Sequence, residues 1–195
     1  MINGISSLVQ GERSRASVGR IALFHAVGGV IGGASMAGFC WLVLTPVRTI
    51  LPGSVGLALV VGLAICTALS DFGLLSVQGQ NRQVPQRWLA TYGAEKAYGL
   101  YGFWLGAGLA TNVAYALEYA VFIGAAILLP LLPALAAGTI FGFCRTALAG
   151  PVGVVPRAAS AWSEFFRTQR GRLPALSGLI ALGLAAALLV VYFSS

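Results

Sequence analysis

Long apolar runs, parted by short polar segments, set the pattern of this chain. The runs cover about 21–44, 55–75, 97–123, 125–149 and 176–193. Each is near the roughly 20 apolar residues that carry a helix across a bilayer. A helix satisfies its own backbone groups within hydrocarbon, so the pattern predicts an all-α integral membrane bundle of about five spans. Residues 1–20 read as a polar cytoplasmic segment, and 21–195 as a single transmembrane domain. The first twenty residues are too polar for the start of a secretory signal, and no small-residue cleavage pattern follows, so the first span is read as retained.

The third and fourth runs are almost continuous from Ala97 to Ala149, with Glu118, Pro130 and Pro133 as the punctuation. The turn between them is placed within Gly124 to Pro133.

Two polar segments carry a pattern of their own. In 83–96, Pro85 suits a first helical turn, and Trp88, Leu89 and Tyr92 fall on one face while Arg87 and Glu95 reach water. In 156–172, Trp162, Phe165 and Phe166 share a face among arginines. Both read as amphipathic connector helices lying in the membrane interface, with Trp88, Tyr92, Trp162 and Phe165 as anchors. Docking of a cytoplasmic partner on these connectors is the alternative. A shift of 78 positions brings Gly28–Gly33 onto Gly106–Thr111 and Cys66 onto Cys144, the signature of a parallel two-fold repeat of span, span and connector.

Composition sharpens the membrane reading. The chain is 58% hydrophobic and 9% charged, where a soluble domain is about a quarter charged. Its net charge is +7, and eleven of its twelve basic residues, all but Arg48, fall on one side of a five-span arrangement. Positive loops favour the cytoplasm, which places the N-terminus inside and the C-terminus outside. The lipid bilayer, with its anionic inner leaflet, accounts for the charge, and no nucleic-acid partner is called for.

Within the spans, Gly29, Gly33 and Ala37 repeat at four-residue spacing, as do Gly102, Gly106, Ala110 and Ala114. Such ladders let helix backbones approach, so the first and third spans are expected to pack closely. Packing within one chain, in a homo-oligomer, or against another membrane protein all satisfy the pattern.

Polar groups inside a membrane are costly and point to function. Thr111 and Asn112 lie mid-way along the third run and Glu118 near its outer end; they are the candidates for a polar path, the alternatives being a hydrogen bond from Asn112 to a neighbouring helix and exposure of Glu118 at the outer interface. Asp71 and Arg145 approach the inner boundary from the second and fourth runs, where each reaches headgroups or water, with an ion pair between them the alternative; His25 is read as interfacial. Cys40, Cys66 and Cys144 all fall inside spans, without a CxxC or a Cys–His cluster, so no metal site, cofactor or hydrolytic triad is expected. They suit packing, with Cys66 and Cys144 as a redox pair the alternative.

The run RQVPQRWLATYGAEKAYGLYGFWLGAGLAT, with FGFCR later in the chain, resembles small multi-span membrane proteins of actinobacteria that carry no assigned activity. It covers roughly a third of the chain and implies a bacterial inner-membrane location. GFWLGAGLAT is also loosely similar to the membrane domain of the cytochrome c biogenesis and DsbD type, which implies electron transfer through intramembrane cysteines. The proline–cysteine signatures of that family are absent: Val47 follows Thr45-Pro46, and Asn112 follows Thr111. Three functions are therefore weighed: a transport-like protein with a polar path in the third span, a non-catalytic scaffold or assembly subunit, and a thiol–disulfide electron carrier.

Overall fold

The computed structural model describes residues 15–75, 87–108, 116–154, 164 and 172–194. Among them are six helices and no strand: α1 (Arg15–Ile50), α2 (Gly53–Asp71), α3 (Arg87–Gly106), α4 (Leu117–Leu128), α5 (Leu131–Val154) and α6 (Arg172–Ser194). Three stretches are long and apolar enough to cross a membrane: Gly19–Ile50, Gly53–Asp71 and Pro174–Ser194. Their outward positions are large and apolar, including Leu23, Leu42, Leu59 and Leu179, as expected of surfaces solvated by lipid.

Local chemistry sets the helix ends. Pro52 follows Leu51 and disfavours a helical conformation there, so α1 stops and α2 starts almost at once. At the other end of α2, Gly73 takes a left-handed φ of 77°. Its N–H bonds the Ser70 carbonyl, and the Leu74 N–H reaches back to the Leu69 carbonyl, both at 2.9 Å. This paired closure satisfies the last carbonyls of the helix and fits a glycine at that position. Leu129, held extended before Pro130, separates α4 from α5, inside the interval expected for that turn.

The expected third span, 97–123, is not one helix. α3 ends at Gly106, Gly108 adopts a φ of 71°, and α4 begins only at Leu117. The Gly-Ala-Gly stretch supplies the freedom to leave the helix, which an apolar run conceals because glycine and alanine do not lower its hydropathy. α4 has 12 residues, about 18 Å at 1.5 Å per residue, too short to cross the roughly 30 Å of hydrocarbon by itself. The first span extends further than expected, to Ile50. The 83–96 connector helix is also revised: α3 starts at Arg87 and is bent at Gly93 (φ 72°, ψ 168°). Thr111, Asn112, Trp162 and Phe165 lie outside the described residues.

The chain forms two compact units that interleave along the sequence. The first takes residues up to Ala34, Arg82–Thr111 and Thr139–Gln169; the second takes Ser35–Asn81, Asn112–Gly138 and Arg170–Ser195. Neither unit coincides with a half of the 78-residue repeat.

In the first unit, α1, α3 and α5 meet through glycine. A Cβ on Gly28, Gly32, Gly102, Gly106 or Gly142 would fall under 3.0 Å from a backbone carbonyl of a neighbouring helix. Such spacing admits only hydrogen at these positions and brings backbones into direct contact.

The second unit packs through side chains. Leu57, Val61, Ala64 and Ala185 form a buried cluster flanked by Leu128 and Leu188. α2 packs against both α6 and α4, and in α4 Glu118, Ala120, Phe122, Gly124 and Ala126 are all buried. Burial on so many sides of a 12-residue helix explains why it has no consistently polar face.

Candidate functional site

Two polar constellations stand out, one in each unit. In the second unit, α2 ends in Asp71, and this half-buried carboxylate is used twice. One oxygen accepts the Ala116 backbone N–H at 2.8 Å, just before α4, and the other accepts the Ser177 hydroxyl of α6 at 2.7 Å. The first N–H groups of a helix have no partner within it, and a carboxylate placed there satisfies one and suits the positive end of the helix dipole. No side chain local to α4 performs this role at Ala116. Asp71 thus supplies from another helix the cap that the restarted helix lacks.

Glu118 follows in the first turn of α4 and is 7% exposed. It was expected near the outer end of a continuous third span, with Asp71 near the inner boundary. Because α4 restarts beside Asp71, both carboxylates belong to the same end of α2 and α4. At the opposite end of α4, the Leu129 carbonyl accepts the Trp41 indole N–H at 3.3 Å and a guanidinium N–H of Arg48. Arg48 also lies over the Trp41 ring, 5.5 Å from its centroid. Both ends of this short helix are therefore tied to other helices by polar side chains.

In the first unit, His25 of α1 is 3% exposed. Its Nδ1 lies 3.2 Å from the Tyr98 carbonyl, and its ring stacks on Tyr101 with centroids 5.4 Å apart and planes 14° from parallel. A carbonyl accepts, so Nδ1 carries the proton in this contact. The Arg145 guanidinium of α5 lies 5.7 Å from the Phe141 ring centroid. Beside them, the buried Thr146 hydroxyl bonds back to the Gly142 carbonyl at 2.8 Å, while its side chain packs against Gly29. His25 is thus a buried group within the helix crossing.

Asp71 and Arg145, weighed as an ion pair, fall in different units. Asp71 spends its oxygens on Ala116 and Ser177, and Arg145 lies over the Phe141 ring of its own unit. Among the described residues Arg20 and Glu95 form an ion pair at 3.4 Å, Arg20 exposed and Glu95 half-buried. Cys40, Cys66 and Cys144 are free thiols, the last two exposed. Gly29, Gly102 and Gly106 occupy the glycine crossing, and the Gly33 Cα faces Gly142. Of the connector anchors, Trp88 is half-buried and Tyr92 exposed. Among the described residues, no three His, Cys, Asp or Glu side chains come together as a metal site.

Sequence reasoning missed Ser177, Tyr98, Tyr101 and Trp41. Tyr98 and Tyr101 sit three residues apart and so share a helix face, a signal present in the sequence. Ser177 had no such signal, since a serine near a helix start is common. No family model matches the chain, and comparison with curated proteins and with solved structures finds no match.

Proposed function

We propose that this is a transport-like membrane protein whose polar path passes the N-terminal end of α4. The observation that carries the reading is the end of α3 at Gly106, before the left-handed Gly108, together with the start of α4 at Leu117, where Ala116 is held by Asp71 and Asp71 in turn by Ser177. Broken helices at membrane depth are tolerated where they are buried in protein or line a watery cavity, and in transporters their half-helix ends bind cargo. Thr111 and Asn112, outside the described residues, lie in sequence between Gly108 and Ala116 and would bring side-chain donors and acceptors to such a path. Asp71, Glu118 and Ser177 are the ionisable and hydroxyl groups that such a path would present.

Cysteine accessibility tests the reading. In a background with Cys40, Cys66 and Cys144 replaced by serine, Thr111→Cys and Asn112→Cys are exposed in intact cells to a membrane-impermeant methanethiosulfonate. Labelling of both, with none of Leu59→Cys on the lipid-facing side of α2, is expected. A path is excluded if Thr111→Cys and Asn112→Cys stay unlabelled from either side of the membrane. A Thr111→Ala/Asn112→Val double variant that fully restores a null mutant would equally remove the reading.

A further inference from the structure

The break in α3 at Gly93 takes no part in that path. With φ 72° and ψ 168° it adopts a backbone conformation that suits glycine, and it parts the short helical segment 87–92 from the rest of α3. We propose that this segment, together with the start of α1, is a docking surface for the anionic phospholipid headgroups of the bilayer.

The ion pair between Arg20 and Glu95 sets the depth of the surface. Its 3.4 Å contact ties the start of α1 to α3 two residues beyond the break. The stretch Gly19–Ile50 has 32 residues, about 48 Å of helix against roughly 30 Å of hydrocarbon, so α1 extends past the apolar layer. Arg20 stands at one extreme of that stretch and is exposed. An exposed guanidinium is costly in hydrocarbon, so Arg20 belongs at headgroup depth or beyond. Glu95 shares that level, and the exposed Lys96 adjoins it. From there α3 runs inward beside α1, with Gly99 against Phe24 and Phe103 against Gly32. Residues 87–92 therefore lie on the headgroup side of this crossing.

The side chains suit that level. Tyr92 is 49% exposed and Trp88 half-buried, and amphipathic rings of this kind favour the boundary between headgroups and hydrocarbon. Charge selects anionic headgroups over zwitterionic ones. Lys96 is exposed, α1 and α3 begin on Arg15 and Arg87, and neither helix has an acidic residue in its first turn. Arg20 is already neutralised by Glu95, so the excess rests on the other three. The break supplies the direction. An unbroken α3 would carry Trp88 and Tyr92 along its axis, away from the bilayer, whereas the turn at Gly93 takes them off that axis.

The test uses the full chain with Tyr92→p-benzoylphenylalanine, reconstituted in liposomes of equal dioleoyl phosphatidylglycerol and dioleoyl phosphatidylcholine, irradiated and read by mass spectrometry. Adducts with intact phospholipid are expected, with phosphatidylglycerol in about fivefold excess, the factor that one basic residue near an anionic surface supplies. Lys96→Gln brings the two lipids toward parity. Leu59→p-benzoylphenylalanine, on the lipid-facing side of α2, gives adducts without preference. Gly93→Ala in the Tyr92 variant lowers the phospholipid adduct several-fold; its Cβ meets nothing within 4 Å, so the change acts through the backbone angle alone. Absence of phospholipid adducts at position 92, or adducts to a second copy of the chain in their place, overturns the surface. Equal capture of the two lipids at that position overturns its assignment to anionic headgroups, and an unchanged adduct in Gly93→Ala overturns the part given to the break. Should Gly93→Ala fail to fold, the lipid preference at position 92 and its response to Lys96→Gln decide.

Discussion

Adding one methyl group to Gly102 should have the opposite effect from adding it to Gly183. Both glycines lie in helices, and replacing either by alanine gains roughly 0.8–1.0 kcal/mol of helix propensity. A Cβ at Gly183 meets nothing within 4 Å. At Gly102 it falls under 3.0 Å from the His25 carbonyl oxygen and carbon, and 3.1 Å from the imidazole Nδ1. The obstacle is largely backbone, which has no rotamer by which to yield, so α1 and α3 must part. Overpacking of this kind costs about 1–3 kcal/mol. Gly183→Ala is therefore expected to stabilise by up to about 1 kcal/mol. Gly102→Ala is expected to range from near neutral to a loss of about 2 kcal/mol.

The two variants are best compared by equilibrium unfolding of the full chain in mixed bicelles against increasing dodecyl sulfate. The quantity that matters is their difference, about 1–3 kcal/mol, because the propensity gain cancels within it. Gly106→Ala and Gly142→Ala extend the test, since each would press on the Gly29 carbonyl from a different helix. Their combined cost should fall short of the sum, because displacing α1 once relieves the second contact. If Gly102→Ala proves as stable as Gly183→Ala, the first unit is not held by backbone-to-backbone contact.

Asp71→Ala should destabilise by about 1–3 kcal/mol, since it removes a helix cap and strands the buried Ser177 hydroxyl; the same unfolding assay reads it. Ser177→Ala alone should cost about 0.5–1.5 kcal/mol, and a double-mutant cycle should show the two coupled. Arg48→Met is expected to lose only about 0.5–1.5 kcal/mol, because the Trp41 N–H remains on the Leu129 carbonyl. In detergent, a small maleimide followed by mass spectrometry should modify Cys66 and Cys144 before Cys40, which is half-buried; the reverse order would contradict the packing of α1.

What could be read from the sequence depended on whether the signal was summed or local. Hydropathy is a sum over a span, so the helical membrane character and the spans through α1, α2 and α6 were legible. The turn before Pro130 was legible as well, because proline acts on its immediate neighbour. The break after Gly106 was not, since it rests on one left-handed glycine in a run whose composition suits a continuous helix equally well. That error carried into the site: Glu118 was assigned to the far end of a span that restarts beside it. Nor was the role of Asp71 legible, since its partners are neutral donors, an N–H and a hydroxyl, rather than a charge. A linear sequence does not reveal which orphan N–H a distant carboxylate will cap.

The two units reach close packing by different means, and this bears on where movement can occur. In the first, carbonyls of α1 lie against glycines of α3 and α5, so a small sliding motion drives backbone into backbone. In the second, Gly56 and Gly124 face the side chains of Ile127 and Val60, with added Cβ atoms 3.3 and 3.1 Å away, tight but adjustable by rotamer. α4 is held at its ends by hydrogen bonds to Asp71 and to the Leu129 carbonyl, which can exchange partners without opening a cavity. On these contacts α4 can shift more cheaply than α1 can part from α3. The glycine crossing is thereby suited to a fixed frame, and α4 to the element that moves if the proposed path operates.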